Sequence, residues 1–375
     1  MQSDFFSLDP QVIYLNHAAV SPWPKATVEA VCRFARENGK SGALHYPQWM
    51  QTESALRASM ARLINAPSPD DIALLKSTSE GLSIVAHGLD WQRGENIVSI
   101  AQEFPSNRIV WQSLKPAGIE VRLLDLNAVD DPEQALMNLC NEKTRLLAVS
   151  SVQYASGRRM QLERLGDFCR RQRILFVVDA IQSLGALPFD LSKNLADVVV
   201  ADGHKWMLGP EGVALFYCRR ELRDELQLHQ YGWHMVQDAW DFERSDWQPA
   251  DSARRFECGS PNMLGMHALL TSLELLQGIG IEQVFARIEH NTQVIIELIS
   301  DHDFELLSPR DPQQRAGIIT FRVPGADIHS LQQGLMKQQV VCAERAGGIR
   351  FSPHFHNTPE EIEGAFEILQ KLAAK

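Results

Sequence analysis

The sequence predicts an α/β protein whose large domain is built on a mostly parallel sheet covered by helices. Between residues 60 and 220, short apolar runs rich in β-branched residues alternate with stretches whose apolar positions recur every three or four residues. This alternation is typical of βαβ units. Because the apolar runs have no polar face, we expect strands that are buried on both sides, as in parallel sheets. The length, 375 residues, suits about two domains.

Five apolar runs are predicted as strands of this sheet, and one stretch between them as an amphipathic helix. The helix covers residues 162–173, with Leu162, Leu165 and Phe168 on its apolar face and arginines on the other. The predicted strands are NIVSIA (96–101), LLAVSSV (146–152), ILFVV (174–178), VVVA (198–201) and GVALFY (212–217).

The second half of the chain predicts a long loop followed by a smaller domain. Residues 229–262 contain three tryptophans among clustered charges and show no periodicity, so we expect a loop. Beyond it, the pattern predicts a large domain over residues 15–276 and a smaller α+β domain made of residues 1–14 and 277–375. Helices are predicted over 263–276, 281–299 and 359–372, and a strand over 318–323.

Charge and cysteine usage argue against several classes of partner. The chain has 36 Lys and Arg against 47 Asp and Glu, a net charge of −11 that repels nucleic acid phosphates and anionic lipids. The first residues carry Asp4 and Asp9 and no basic segment, which argues against a signal peptide. No run approaches the ~18 apolar residues of a membrane span. The six cysteines show no CxxC spacing, so we expect reduced thiols and a cytoplasmic protein with no nucleic acid or membrane partner.

The stretch from Ile174 to Gly209 carries the residues with the clearest chemical meaning. Asp179 ends one predicted buried strand, and Lys205 follows the next in a Gly-His-Lys turn. Ligands bind at the carboxyl ends of strands in open parallel sheets, so both charges are expected in a binding site. A desolvated amine can form a Schiff base with an aldehyde, and a carboxylate can keep a pyridine nitrogen protonated. The pair suits pyridoxal phosphate, although each residue alone is equally well explained as an N-cap Asp or a surface Lys.

In this stretch the sequence resembles the class V aminotransferases of the fold-type I pyridoxal-phosphate enzymes, which include cysteine desulfurases and isopenicillin N epimerase-like proteins. The resemblance covers nearly the whole chain. It rests on the D-x-x-Q of Asp179 and Gln182, on the G-H-K that ends at Lys205, and on the separation of 26 positions between Asp179 and Lys205. It implies the type I pyridoxal-phosphate transferase fold, with Lys205 joined to the cofactor, Asp179 at its pyridine nitrogen and Gln182 at its phenolic oxygen.

A second stretch, LLKSTSEGLSIVAHG (74–88), places hydroxyl groups at a predicted helix start. Free backbone N–H groups and the helix dipole favour a phosphate at such an end. Ser77 with Glu80 three residues later also indicates an ordinary capping box. The resemblance implies that Thr78 and Ser79 contact the cofactor phosphate and that His204 lies beside it.

Two aromatic residues are expected near the cofactor ring. Phe104, in QEFPSN, follows a predicted strand, and cysteine desulfurases place a stacking His at this position. A Phe offers a stacking face without proton transfer, and a core position is the alternative. Tyr154 stands where many relatives have an Asn near the phenolic oxygen.

The segment AERAGGIRFSPHFHNTPEE (343–361) resembles the family's R-x-S-P-H-x-Y-N-T stretch, with His356 where Tyr is common. The resemblance implies that Arg350 binds the carboxylate of an amino acid through two hydrogen bonds. Arg345 either assists it or is a surface charge. Asn16 and His17, in YLNHAA, resemble the strand that lines the substrate side, with an exposed turn as the alternative.

No metal site is predicted. His354 and His356 are alternate residues without a third ligand nearby in the sequence. In FECGSPN (256–262), which resembles the family's F-E-x-G-T-P, Ser260 takes the position of the hydroxyl that reaches the phosphate of the other subunit. The resemblance therefore implies a homodimer with shared active sites.

The predicted function is a pyridoxal-phosphate-dependent reaction of an amino acid, with a class V aminotransferase as the leading interpretation. The alternatives are a cysteine desulfurase-like lyase, an amino-acid epimerase, or a catalytically silent binding protein of the same fold. A persulfide-forming desulfurase is disfavoured because only AGGI (346–349) stands where that branch has a longer insertion with a nucleophilic Cys. Cys342 lies just upstream, and we expect it to be a buried structural thiol.

Overall fold

A computed structural model describes residues 5–374. Its helices are α1 Lys25–Ser41, α2 Tyr46–Leu63, α3 Thr78–Gly88, α4 Ser106–Gln112, α5 Pro132–Leu139, α6 Leu162–Gln172, α7 Leu191–Asn194, α8 Arg220–Glu225, α9 Met263–Ile279, α10 Ile281–Asp301, α11 Ile328–Lys337 and α12 Pro359–Ala373. Its strands are β1 Ile13–Tyr14, β2 Ile72–Leu75, β3 Asn96–Ile100, β4 Glu120–Leu124, β5 Thr144–Ser150, β6 Leu175–Asp179, β7 Val198–Asp202, β8 Ala214–Cys218, β9 Glu305–Leu306, β10 Ile319–Arg322, β11 Val340–Val341, β12 Ala343–Arg345 and β13 Gly348–Phe351.

The central sheet has seven strands in the order β2-β8-β7-β6-β5-β3-β4. The strands from β7 to β4 pair in parallel, whereas β8 is antiparallel to both of its neighbours. All five predicted strands lie in this sheet, with ends that differ by one or two residues. The predicted mostly parallel sheet is therefore confirmed.

Both faces of the sheet are covered by helices, and successive residues of each strand point to opposite faces. In β6, Phe176 and Val178 belong to the core cluster that includes residues of α2, α6 and α9. Leu175 and Val177 belong to the cluster on the other face, which includes residues of α3 and α4. Burial of each such side chain stabilises the fold by about 1.5–3 kcal/mol. This two-sided burial explains why the predicted strands have no polar face.

A smaller antiparallel sheet, in the order β12-β13-β10-β9, forms the second part of the fold. Helices α10, α11 and α12 contribute to its core. The short strand β1 pairs in parallel with β11, so Ile13 lies opposite Val340 although the two are far apart in sequence. The predicted α+β character of the C-terminal part is confirmed, and the division at residues 15 and 277 stays a prediction.

Residues 229–262 form no α-helix or β-strand, as predicted for a long loop. Short 3₁₀ turns occur at Trp233–Met235 and Ala253–Phe256. The loop exposes large aromatic side chains, which are Tyr231, Trp240, Phe242 and Trp247. Such a group of exposed apolar residues is typical of a contact surface.

Within residues 5–374, no single helix is long and apolar enough to cross a membrane. Helices α9 and α10 meet that test only when taken together, and they are bent by 82° relative to each other.

Candidate active site

Lys205 and Asp179 lie at the carboxyl ends of two adjacent parallel strands. Asp179 is the last residue of β6, and Lys205 follows the end of β7. Both side chains are buried. Gly203 opens the turn that carries Lys205, and a Cβ there would lie only 2.9 Å from a methyl group of Leu269 in α9. The absence of a side chain at Gly203 therefore lets the turn pack closely on α9 and aim Lys205 at the sheet edge.

The amine of Lys205 has no direct ion-pair partner. Among residues 5–374, no carboxylate oxygen lies within 4.0 Å of its Nζ. Burial lowers the pKa of Lys205, Asp179 opposes this effect, and the positive charge of Arg350 adds to it. Burial also raises the pKa of Asp179, and the nearby Glu103 carboxylate raises it further. A buried amine with a lowered pKa and no bound counter-ion is suited to react with an aldehyde.

Phe104 lies beside this amine and is not a core residue. Its side chain is 40% exposed, and Lys205 Nζ lies 5.5 Å from the centre of its ring. Tyr154 packs edge-on against it, with 5.2 Å between ring centroids. The face of Phe104 is thus available for a planar ligand, which agrees with the stacking interpretation and not with the core alternative.

The side chain of Gln182 is largely committed to the protein. Its Oε1 accepts a hydrogen bond from Trp206 Nε1 at 2.8 Å, and its Nε2 donates one to Ala18 O at 3.0 Å. An amide nitrogen has two N–H groups, so one remains for a ligand. The predicted contact with the phenolic oxygen stays a prediction and depends on that one N–H group.

The N-terminus of α3 lies at the same edge of the sheet. Ser77 caps the helix by accepting from Glu80 N at 3.2 Å, so the capping role is real. Thr78 is buried and its Oγ1 accepts from the backbone N–H of Asp202 at 3.0 Å, which leaves its own hydroxyl proton for a ligand. Ser79 is exposed, and its Oγ donates a hydrogen bond to Ser106 Oγ at 2.8 Å. The hydroxyl of Thr78 is therefore free to donate to a phosphate at the helix N-terminus, and that of Ser79 can do so by rotating away from Ser106.

His204 follows the end of β7 and lies near the N-terminus of α3, where the phosphate is expected. Its Nδ1 lies 3.1 Å from Asp202 Oδ1, at an angle that gives no hydrogen bond. Both atoms are buried and have no other partner within the described residues. His204 is thus close to α3 through Asp202, the residue that Thr78 binds, and its predicted place beside the phosphate stays a prediction.

Arg350 is buried on the substrate side, and only 1% of its surface is exposed. It donates to Tyr154 O at 2.7 Å and to Asn16 Oδ1 at 3.2 Å. Its Nε is buried without a hydrogen-bond partner. Burial is the main cause that lowers the pKa of Arg350 to about 9. A guanidinium with a free edge in such a place suits a carboxylate that arrives from outside.

His17 differs from what we expected of a substrate-binding residue. Its ring is fully buried, so the exposed-turn alternative is wrong. Its Nδ1 lies 3.0 Å from Ser352 O, and its Nε2 lies 3.0 Å from His356 Nε2. Because both ring nitrogens are engaged within the protein, His17 has none left for a substrate. The prediction that it binds substrate is corrected to a role in holding the segment that carries Asn16.

The hydrogen bonds of this histidine group define neutral rings. His354 Nε2 lies 3.1 Å from Trp206 O and must donate, while its Nδ1 accepts from Phe355 N at 2.8 Å. His17 donates from Nδ1 to a carbonyl, so His356 donates to its Nε2. Burial lowers the pKa of His354 to about 4 and that of His356 to about 3. The group therefore ties the C-terminal segment to Trp206, next to Lys205, through uncharged contacts.

Ser260 is exposed in the aromatic loop, where Trp233 Nε1 donates to its Oγ at 3.4 Å. An exposed position leaves the hydroxyl accessible to another chain. Its predicted contact with the phosphate of a second subunit stays a prediction.

Glu103 is a residue of the site that was not predicted from the sequence. Its buried carboxylate accepts from Ser150 N at 2.7 Å and from Gln153 Nε2 at 3.1 Å, and it also binds Ser150 Oγ. It thereby joins the segment after β3, which carries Phe104, to the end of β5. The signal was present in the sequence, since an acidic residue that follows a buried strand at the ligand-binding edge requires a partner.

The cysteines lie apart from this chemistry. Cys342 is buried, and burial raises its pKa to about 12, which makes it a poor nucleophile. This agrees with the predicted structural thiol. Strands β12 and β13 are joined only by Ala346 and Gly347, so the connection between them is too short to carry a mobile cysteine loop.

One group of potential metal ligands occurs elsewhere in the described residues, formed by Glu53, His234 and Glu257. Arg57 lies between the two carboxylates and donates to Glu53 at 2.7 Å and to Glu257. The guanidinium thus already supplies the positive charge there. The expectation of no metal stays a prediction.

The donor set fits pyridoxal phosphate in three respects. An unpaired buried amine can join its aldehyde, a buried carboxyl can hold its ring nitrogen, and hydroxyls at the N-terminus of α3 can bind its phosphate. These groups are Lys205, Asp179, Thr78 and Ser79, all at one edge of one sheet.

The family model for class V aminotransferases matches residues 13–364. The chain belongs to this family. As a member of it, the chain is a pyridoxal-phosphate-dependent enzyme, and the predicted family, fold and cofactor are confirmed. A probable cysteine desulfurase of Methanothermobacter thermautotrophicus is 29% identical to this class V chain over 384 residues, which cover 96% of the chain and 94% of the relative.

Two further comparisons differ in the reaction that their names state. An uncharacterized aminotransferase of Bacillus subtilis is 30% identical over 326 residues, covering 87% of this chain and 84% of its own length. The solved structure of the cystine C–S lyase C-DES, in complex with its product cysteine persulfide, has a TM-score of 0.90 and 25% identity, and the match covers 97% of this chain and 98% of that one.

Proposed function

We propose that this enzyme binds an α-amino acid through its carboxylate at Arg350, removes the α-proton with Lys205, and transfers the amino group. The observation that carries the proposal is the buried guanidinium of Arg350, which has no carboxylate within 4.0 Å among residues 5–374 and leaves its Nε without a partner. A buried charge in this state gains most from an anionic ligand.

Pyridoxal phosphate, when bound, supplies an aldehyde for the amino group and an electron sink for the negative charge left at the α-carbon. Asp179 supports this chemistry because a carboxylate beside the ring nitrogen favours the protonated pyridine. Thr78 and Ser79 hold the phosphate at the positive end of α3.

Lys205 is the proposed acid and base. Its burial lowers the pKa of the amine, so a larger fraction is unprotonated at neutral pH than for an exposed lysine. Phe104 has no group that exchanges protons, so it contributes a stacking face and excludes water. The proton that leaves the α-carbon is therefore taken up at Lys205 Nζ.

A persulfide-forming desulfurase is not supported. The two-residue connection of β12 and β13 carries no thiol, and the nearest cysteine in sequence, Cys342, is buried with a raised pKa. Phe104 also replaces the histidine that the desulfurases carry at this position.

A C–S lyase is the second candidate, and one observation favours it. The likeness to C-DES extends over nearly the whole length of both chains. Elimination and amino-group transfer share removal of the α-proton by the same lysine. Elimination then expels a group from the β-carbon, whereas amino-group transfer breaks no bond at that carbon. We rank amino-group transfer first because the family model and the Bacillus subtilis relative carry that name.

We also propose that the enzyme works as a homodimer in the cytoplasm. The exposed aromatic side chains of the 229–262 loop and the accessible hydroxyl of Ser260 support a contact with a second copy that completes the phosphate site. The six cysteines, none of them in a disulfide, suit a reducing compartment. The net charge of −11 supports the absence of a nucleic acid or anionic membrane partner.

The test is a panel of amino acids mixed with the purified holoenzyme in the absence of an amino-group acceptor. We expect loss of the visible absorbance of the cofactor and recovery of pyridoxamine phosphate and the matching 2-oxo acid. Release of pyruvate with sulfide or persulfide from cysteine or cystine would instead select the lyase. A holoenzyme whose spectrum no amino acid changes would refute both candidates.

A further inference from the structure

Two arginines project from the same face of the β12–β13 hairpin. In the antiparallel register, Ala343 lies opposite Arg350 and Arg345 lies opposite Gly348. Residues opposite each other share a face, and so do residues two apart on one strand. Arg345 and Arg350 are therefore diagonal neighbours, and the small residues opposite them leave space for both side chains.

Neither guanidinium is paired with an acid. Within residues 5–374, no carboxylate oxygen lies within 4.0 Å of either one. Their hydrogen bonds go only to neutral oxygens, which are Tyr154 O and Asn16 Oδ1 for Arg350 and Glu344 O for Arg345. Of the other buried arginines, Arg223 faces a carboxylate at 3.3 Å, whereas Arg315 donates only to the neutral oxygens Arg310 O and Gln293 Oε1.

The acids near the hairpin do not supply the missing charge. Glu344 pairs with Ile349 and so points to the opposite face, where its carboxylate lies 3.1 Å from His329 Nδ1. Asp202 lies beside His204, and Asp179 is bonded to Ile181 N at 3.0 Å. Both arginines add positive charge to the surroundings of Lys205 and lower its pKa. The substrate side of the site thus holds two positive charges that the chain leaves unneutralised.

An α-carboxylate neutralises only one of these charges. We propose that the substrate is a dicarboxylic amino acid, with its α-carboxylate on Arg350 and its side-chain carboxylate on Arg345. This inference rests on the proposed function and narrows it. It assigns Arg345 as a specificity-determining residue and excludes neutral side chains such as those of alanine and cysteine as preferred substrates.

The test compares L-aspartate and L-glutamate with their neutral amides, L-asparagine and L-glutamine, on the holoenzyme. We expect kcat/KM at least about 10-fold higher for each acid than for its amide, since the amide leaves the charge of the half-buried Arg345 unpaired. Arg345→Met should lower the value for the acids at least about 10-fold and change that for the amides less than about 3-fold. Arg122→Met, on the edge strand β4, is the matched control and should change none of them.

A binding measurement separates this inference from the reaction itself. Succinate, which carries two carboxylates and no amino group, should compete with substrate or quench cofactor fluorescence more strongly than butyrate, and Arg345→Met should abolish the difference. Arg345→Lys keeps the positive charge and should retain part of the difference between succinate and butyrate. If no amino acid reacts but succinate binding still depends on Arg345, the proposed function fails, and only the assignment of Arg345 as a carboxylate-binding residue is supported. If acids and amides react equally, or Arg345→Met lowers both to the same extent, the inference is wrong.

Discussion

Replacement of Arg350 by methionine should remove substrate binding while leaving the fold nearly as stable as before. Burial disfavours the charged guanidinium, because it lowers the pKa of Arg350 well below its usual value, to about 9. At 1.36 kcal/mol per pH unit, this corresponds to roughly 5 kcal/mol. Methionine has a similar length and no charge, so the substitution removes that cost.

The same substitution breaks two hydrogen bonds. They run to Tyr154 O and Asn16 Oδ1, and bonds from a charged donor contribute about 1.5–3 kcal/mol each. The loss of about 3–6 kcal/mol offsets the gain of about 5 kcal/mol. We expect the free energy of unfolding of Arg350→Met to lie within about 2 kcal/mol of the parent protein.

Catalysis should respond very differently. A two-pronged contact with a carboxylate contributes about 3–6 kcal/mol, so kcat/KM should fall by roughly 10²–10⁴. Urea unfolding followed by far-ultraviolet circular dichroism measures the stability, and the spectral change of the cofactor measures the reaction. Retention of kcat/KM within tenfold, or a stability loss above about 4 kcal/mol, would refute the reasoning.

Arg57→Met is the control, because this arginine is half-buried and is paired with two buried carboxylates. It bridges Glu53 and Glu257, and its removal leaves two buried carboxylates without their arginine counter-ion. We expect a loss of about 3–5 kcal/mol in stability. The folded fraction should retain its kcat/KM. Arg57→Lys keeps the charge and serves where the methionine variant does not fold.

Three further substitutions test other parts of the site. Ser79→Ala should weaken pyridoxal phosphate binding by roughly 5–50-fold in a spectroscopic titration, because a short hydrogen bond to a charged phosphate is lost, whereas Ser83→Ala, one helical turn later, should not. Asp179→Asn removes the charge that keeps the pKa of the catalytic lysine up, so the pH midpoint for loading apo-protein with cofactor should fall, and an upward shift would contradict the assignment. The buried His354 and His356 have lowered pKa values, so the unfolded state binds more protons than the folded state. The free energy of unfolding should therefore fall as the pH drops below about 6.5, by about 1.4 kcal/mol per pH unit for each ring. His356→Phe should make that slope shallower, and an unchanged slope would count against the neutral rings.

The sequence predicts the interior strands of the central sheet well because both of their faces are apolar. Strand β4, EVRLL, is not predicted in this way, because it is an edge strand with exposed Glu120 and Leu123. The antiparallel direction of β8 is not predicted either, since the periodicity of apolar residues indicates burial and not strand direction.

The candidate site is predictable where its residues follow buried strands and belong to short motifs, as Asp179 and Lys205 do. The histidine group is not, because His17 and His356 are 339 positions apart and meet where the segment after β1 pairs with Ser352. The lack of an acidic partner for Arg350 is not predictable either, since a sequence does not show which acidic side chains lie near it in the fold. These features depend on contacts across the whole chain.

The central claim is that Lys205 holds pyridoxal phosphate covalently opposite Asp179. Borohydride reduction of the holoenzyme, followed by proteolysis and mass spectrometry, tests it directly. The account predicts one pyridoxyl group per chain on the peptide that contains Lys205. A label on Lys76, or on any other lysine while Lys205 remains unmodified, would contradict it.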